Sequence, residues 1–452
     1  MTIRRATRAL AVPALVLALG CRPGAGQTAY TGAEVFDGTG APLILDAVIV
    51  VNGSHIAAIG PAEDVAIPKG ATIVPLDGKW VVPGFIDAHV HVERWTLPRF
   101  VAYGVTTVRD AGGLLDSVRA LRDETVLGST LGPRMYISGA MIDGAPATWP
   151  GAIEVRTATE ARQAVDRLRL ADAAMAKLYT HIDRTLMEAA IAEARVLKLP
   201  VTAHLGRVDA VTAAELGLYG IEHLTGVVEA SVPDPGRYFA AHTQGFFTGW
   251  NLAEQAWPTV DSAALDRTAR ALAERNVFLT PTLVLHDAWA HLADPAYLGR
   301  LDLSGVPASV REAWDVPDLI RRARLGQDDF RRLQRARAYQ DRFVRMYHRT
   351  GGTVLAGTDA PNQLLAPGAS LHDEMAFLVR AGFLPRDALL AATGNAARFL
   401  QTDSVGVLRA GAVADFVVLD ANPLQDIANT RRIDRVVLRG TAYLPTDLKE
   451  VP

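Results

Sequence analysis

Four histidines, one lysine and one aspartate carry the chemistry that this chain can do: His89, His91, Lys177, His204, His223 and Asp359. Each stands in or at the end of a short apolar run. His89 and His91 close the run Val81-Val82-Pro83-Gly84-Phe85-Ile86-Asp87-Ala88-His89-Val90-His91. Residues two apart on a strand point to the same side, so both imidazoles can address one metal ion. His204 ends Val201-Thr202-Ala203-His204, His223 ends Ile221-Glu222-His223, and Asp359 ends Val354-Leu355-Ala356-Gly357-Thr358-Asp359. Lys177 lies in Ala174-Met175-Ala176-Lys177-Leu178-Tyr179. Singly, each has an ordinary structural explanation: a buried histidine satisfies a hydrogen bond, a lysine snorkels, an aspartate caps a helix. Their joint placement at the ends of apolar runs is what points to a site.

The donor set fixes the chemistry. The chain has one cysteine, Cys21, so neither a cysteine-based zinc site nor an internal disulfide is available. Four neutral imidazoles and a carboxylate suit Zn²⁺ or a similar borderline cation. Lys177 is the odd member, because an ammonium beside a dication is repelled. Burial lowers a lysine's pKa, and a neutral amine can take up CO₂ to become an anionic, bridging carbamate. Two ions bridged in this way would share a hydroxide, a nucleophile near neutral pH beside a polarised carbonyl. Asp359 would ligate one ion, take the proton of the attacking water and pass it to a leaving amine.

The elements that must position these groups can be read from periodicity. Eight candidate strands lie at 81–89, 104–110, 134–140, 174–179, 200–205, 219–224, 277–284 and 352–359. Amphipathic helical runs separate most of them, including one opening at Thr157 or Thr159 and others at 186–198 and 263–275. Eight β-then-α units predict an α/β fold, a (β/α)₈ barrel over residues 83–402, with the candidate residues meeting at its C-terminal mouth. Residues 29–82 and 403–452 look all-β, with a hairpin signal at Asn52-Gly53, and predict a small composite β-sandwich domain built from both termini. Residues 287–350 do not fit the repeat. Their arginine-rich helical part, 309–350, reads as a long helix on the outside of the barrel, with a lid over the strand ends as the sharper alternative.

The first 21 residues read as a secretory signal: Arg4, Arg5 and Arg8, then an apolar run too short to span a bilayer, then small residues. Ala18-Leu19-Gly20-Cys21 resembles a bacterial lipobox. That resemblance implies export to the periplasm or cell envelope, with a lipid anchor on Cys21 and residues 22–28 as a tether.

The constellation resembles that of the amidohydrolase superfamily. Beyond the candidate ligands, the chain carries Gly104-Val105-Thr106-Thr107-Val108-Arg109-Asp110, Gly394-Asn395-Ala396-Ala397-Arg398 and Gly411-Ala412-Val413-Ala414-Asp415-Phe416-Val417-Val418-Leu419. These runs are similar to those of imidazolonepropionase-like and Xaa-Pro dipeptidase-like binuclear metal hydrolases. The resemblance implies a barrel plus a β-sandwich from both termini. It implies that His89 and His91 hold the more buried ion, His204 and His223 the more exposed one, that a carboxylated Lys177 bridges them, and that Asp359 is both ligand and acid/base. Two runs depart from the dipeptidase-like pattern. His204-Leu205-Gly206-Arg207 stands where relatives carry His-Ala-His-Gly, and 139–144 lacks a Gly-Gly-His turn. Both fall where substrate would bind.

The leading expectation is a hydrolase of an amide bond in a short peptide or an N-acyl amino acid, with Tyr179, Arg207 and His286 as candidate substrate contacts. Arg207 could pair with a substrate carboxylate. A cyclic-amide or lactone hydrolase or a deaminase of the same superfamily is the alternative. Lys177, and Val208 in place of an acid shortly past His204, speak against a deaminase. A non-catalytic envelope binding protein is a third reading, disfavoured because no candidate ligand is missing. A net charge of −3 over 452 residues gives no footprint for nucleic acid, membrane contact is expected only through the lipid anchor, and nothing in the chain specifies an oligomeric state.

Overall fold

A computed structural model describes residues 26–449. The expected signal segment, Cys21 and residues 22–25 lie outside the described residues. Thr28, expected in a tether over 22–28, already opens a strand, Thr28–Val35, paired antiparallel with Ile44–Asn52. Among the described residues no helix is long and apolar enough to cross a membrane.

Strands from both ends of the chain share one eight-stranded sheet. Ile44–Asn52 and His55–Pro61 form the hairpin, with Asn52 opposite His55 and Gly53 in the left-handed region at φ +58°. From the C-terminal end come Phe416–Leu419, Ile433–Leu438 and Thr441–Tyr443. Trp80–Pro83 joins the two groups, lying parallel to Thr28–Val35 and antiparallel to Phe416–Leu419. The β segments expected to combine from both termini are thus joined by continuous strand pairing.

The run expected as one strand over 81–89 is two. Trp80–Pro83 belongs to the terminal sheet, and Phe85–Val90 to the central strands. Gly84 is the break. Its N–H donates to Asp415 O at 2.9 Å, and a Cβ there would collide with the Thr106 side chain. Proline and glycine at 83–84 thus divide one apolar run between two sheets.

The central strands run parallel. Phe85–Val90 neighbours Val105–Asp110, which neighbours Arg134–Ile137. Ala174 N donates to Ile137 O at 2.8 Å and leads to Ala176–Leu178. Val201–Ala203, Gly220–Glu222 and Phe278–Thr280 follow in order. Leu279 bridges Val354 and Val90 bridges Ala360, both parallel, so the pairings lead back to the first strand. The last expected strand, 352–359, makes only these isolated bridges. Two further short strands, Ile142–Gly144 and Ile153–Val155, are inserted beside Ala176–Leu178. The seventh strand ends at Thr280 rather than 284, and Leu283–Ala290 is helical.

The intervening helices begin on side-chain caps. Thr157, Asp183 and Asp261 accept from Glu160 N, Leu186 N and Ala264 N at 3.2, 3.0 and 3.1 Å, opening Ala158–Leu170, Arg184–Val196 and Ser262–Glu274. Ala161, Ala164, Val165 and Leu168 bury one stripe at helical spacing. Region 287–350 divides in function. Gln327–Arg349 packs on neighbouring helices through Phe330, Leu333, Phe343 and Tyr347. Leu285–Leu292 and Val316–Ala323 instead supply part of a wall over the strand ends.

Candidate metal centre and pocket

The six candidate residues meet at one place. Asp359 Oδ1 lies 3.0 Å from His91 Nε2 and 3.2 Å from His89 Nε2, and Lys177 Nζ is 3.1 Å from His89 Nε2. The His89 and His223 rings are 4.4 Å apart and those of His204 and His223 5.1 Å. Ligand atoms of His89, His223 and Asp359 all fall within 4.8 Å of one another. All but His91 are buried.

Strand ends aim these groups, and the chain turns sharply there. His223 and Asp359 occupy the left-handed region at φ +56° and +66°, as does Thr282 at +46°. Such backbone costs about 1–3 kcal/mol per residue and persists only where packing over-determines it. Gly357 allows the last segment to close on the first strand, since a Cβ there would sit 3.0 Å from that of His89.

A shell of hydrogen bonds fixes the imidazoles. His89 Nδ1 meets Glu222 Oε2 at 2.7 Å, His91 Nδ1 meets Gly112 O at 2.6 Å, and His223 Nδ1 meets Thr282 Oγ1 at 2.8 Å. Holding Nδ1 in this way leaves Nε2 free for a cation, the usual arrangement around a metal-ligating histidine. Arg109 donates to Glu222 Oε1 at 2.7 Å and to Thr202 Oγ1 at 2.6 Å, so the buried carboxylate is itself paired. Asp87 accepts from Thr358 Oγ1 at 2.7 Å and ties the first strand to the last.

The electrostatics suit a divalent ion. Burial holds the His204 and His223 imidazoles well below their usual range, so both are neutral at pH 7. Burial opposes ionisation of Asp359, but His223, His89 and His91 outweigh it and hold the carboxyl well below the usual carboxylate range. Burial pulls the Lys177 amine down to about 8. Both ring nitrogens of His204 are buried without a hydrogen-bond partner. Orphaned buried polar atoms are costly, and a cation ligated through one of them would satisfy it. The nitrogen and oxygen donors thus fit one or two ions of the zinc type.

The profile of the amidohydrolase family matches residues 80–442. The chain belongs to the amidohydrolase family. It is 28% identical over 401 residues to imidazolonepropionase of Haloarcula marismortui, covering 83% of each chain. It is 32% identical over 91 residues to adenine deaminase of Paracoccus denitrificans, a match spanning only 15% of that protein. Two solved structures share the fold. A bottromycin amidohydrolase superposes with a TM-score of 0.72 at 23% identity, covering 93% of this chain and 88% of the other. A Xaa-Pro dipeptidase with methionine bound in its active site superposes at 0.68 and 18%, covering 92% and 100%. The likeness is that of a barrel with a separate sheet domain.

In this amidohydrolase a cavity of about 460 Å³ opens over the candidate centre, lined by His91, Lys177, His204, His223 and Asp359 but not by His89, and Tyr179 lines it too. The other two expected substrate contacts do not. Arg207 turns aside, its Nη1 3.4 Å from His181 O. His286 sits on the Leu283–Ala290 helix behind Trp250, stacked on that ring at 5.5 Å with Nδ1 on Glu254 at 2.7 Å. The misplacement of His286 follows from extending the seventh strand to 284. Sequence reasoning missed Glu222, Arg109 and Thr282 as supports. It also missed the aromatic wall, Trp149, Phe246, Phe247, Trp250 and Trp289. Glu222 adjoins His223, and Phe246, Phe247 and Trp250 share one helical face, so both signals stand in the sequence.

Proposed function

We propose that this protein is a metal-dependent hydrolase of an amide bond in a small molecule or short peptide, with two divalent ions, zinc in the first instance. The observation that carries the reading is the convergence of the six residues, three of them with Nδ1 held and five of them lining one cavity. His89 and His91 would hold one ion and His204 and His223 the other, with Asp359 and a carboxylated Lys177 completing the set. Divalent ions bound there would make water nucleophilic near neutral pH and polarise the scissile carbonyl. Asp359 takes the proton of the attacking water as the new O–C bond forms. It returns that proton to the amide nitrogen as the C–N bond breaks, leaving a carboxylate and an amine. Glu222 keeps His89 in one tautomer throughout, and the buried strand ends exclude bulk water.

The likeness to imidazolonepropionase favours a cyclic amide as second substrate class, for which the same groups would serve and no separate amine would leave. The reading of residues 1–21 as an export signal with a lipid on Cys21 accompanies this function. A Cys21→Ala chain that still sediments with membranes would end the lipid-anchor reading.

The test is product analysis by mass spectrometry. The protein, loaded with zinc in bicarbonate buffer, meets a mixed library of dipeptides, N-acyl amino acids and cyclic amides, with Asp359→Asn as control. We expect paired acid and amine products, or ring-opened acid, from the parent and none from the control. A folded, metal-loaded parent that releases nothing overturns the reading.

A further inference from the structure

The cavity wall says what kind of amide the site takes. Six aromatic side chains rise from the candidate metal centre: Trp149, Tyr179, Phe246, Phe247, Trp250 and Trp289. They form a connected cage. Phe246 lies nearly parallel to Trp250 and to Tyr179, at 10° and 15°, and Phe247 to Trp289 at 8°. The cage reaches the candidate ligands directly, for the His204 ring is 4.8 Å from Tyr179 and 5.5 Å from both Phe246 and Trp250. A group attached to a scissile carbonyl at the centre therefore meets aromatic surface at once.

The indole N–H groups of Trp149 and Trp289 are engaged, and the amide side chains of the wall, Asn362 and Gln363, carry no charge. Trp149 Nε1 donates to Tyr179 Oη at 2.9 Å, and Trp289 Nε1 donates to Asn251 Oδ1 at 3.0 Å. Lys177 Nζ lies 5.7 Å from the Tyr179 ring centre. Among the described residues lining the cavity, Asp359 is the one acid, and it belongs to the candidate centre. Beside Lys177, Arg322 is the one lysine or arginine, and it is more than half exposed with Nε on Asp318 at 2.7 Å. A free α-ammonium beside the scissile bond would lose its water against aromatic carbon with no counter-charge of its own. A bulky uncharged ring would gain the burial of most of its surface.

We propose that the substrates are amides bearing a bulky aromatic group next to the scissile bond, with no free ammonium there, and that the six-residue cage is the subsite for that group. This rests on the amide-hydrolase reading of the same centre. It separates this site from one built for free, zwitterionic dipeptides.

Binding and turnover are measured separately. The Asp359→Asn chain is titrated calorimetrically with N-acetylglycine, N-(2-naphthoyl)glycine, N-acetyl-2-naphthylalanine and free phenylalanylglycine, and the parent is assayed on the same four. We expect at least one naphthyl compound to bind about tenfold or more tightly than both N-acetylglycine and phenylalanylglycine. We expect Trp149→Leu and Phe247→Ala, both on the half-buried rim, each to erase most of that gap while circular dichroism stays native. A naphthyl preference in binding without any turnover supports the cage and overturns the hydrolase reading for these amides. Equal affinity across the four, tighter binding of phenylalanylglycine, or a preference that survives both folded variants overturns the cage, whatever the turnover.

Discussion

The buried pairing of His89, Glu222 and Arg109 sets the orientation of the candidate metal centre one residue at a time. Glu222 accepts from His89 on one oxygen and from Arg109 on the other, with all three side chains almost fully buried. Replacing Glu222 by Gln removes the charge that offsets Arg109 and the acceptor that selects the His89 tautomer. Removing one partner of a buried pair costs on the order of 3–5 kcal/mol, and loss of such a support lowers metal affinity about 10–100-fold. We expect Glu222→Gln to lower the Tm and to lose zinc at chelator concentrations that leave the parent loaded. Unchanged metal retention would remove Glu222 from that role. A second buried carboxyl gives a pH signature away from the centre. Glu374 accepts from Val284 N at 2.8 Å with its other oxygen unpartnered, and burial pushes its carboxyl up to about 8. Its folded pKa lies above its unfolded value near 4.5, so its contribution is complete below pH 4.5 and is lost as pH rises toward 8. Urea unfolding at pH 5 and pH 8 should show the parent losing more stability than Glu374→Gln, and parallel losses would refute this.

Among the elements, the strand ends and the helix Phe246–Ala256 decide most. Gly84 separates the terminal sheet from the first central strand, and Gly357 lets the last segment approach it. At Gly357 an added methyl would press on Thr280 and on His89, both in elements that cannot easily yield. We expect Gly357→Ala to cost about 1–3 kcal/mol by overpacking and to weaken metal binding through His89, where a remote cavity-neutral change would leave metal content alone. Urea titration and metal analysis of the same sample check both. The helix places Phe246, Phe247 and Trp250 on its cavity side, so its rotation relative to the strand ends sets the width of the subsite.

At the scale of the whole molecule, ions held at the candidate centre would cross-link distant strands. The six residues of that centre come from segments spread over residues 89–359, and no stretch shorter than this assembles it. An ion that binds only the folded chain stabilises it by mass action, by about 2.7 kcal/mol at a free concentration 100 times the Kd. We expect the Tm to rise with added zinc and to fall on dialysis against a chelator, with a smaller rise in Asp359→Asn. A Tm indifferent to metal in the parent would count against a structural role for the ions. The two chain ends share one sheet, so its integrity depends on Trp80–Pro83 lying beside Phe416–Leu419.

The sequence by itself determined the residue types at the centre and the repeat that carries them. His89, His91, Lys177, His204, His223 and Asp359 were legible because strand ends are short-range features, marked by apolar runs with a polar terminus. Capped helices such as Ala158–Leu170 and the hairpin at Asn52-Gly53 were legible for the same reason. Only tertiary structure decided that Trp80–Pro83 pairs with Phe416–Leu419, because a strand's sheet membership depends on its hydrogen-bonding partner and not on its own pattern. It alone ended the seventh strand at Thr280, carried His286 behind Trp250 and turned Arg207 aside. It alone gathered six aromatic rings from four separate stretches into one wall. Packing across hundreds of residues is a property of the closed fold, and local periodicity carries no record of which faces will meet.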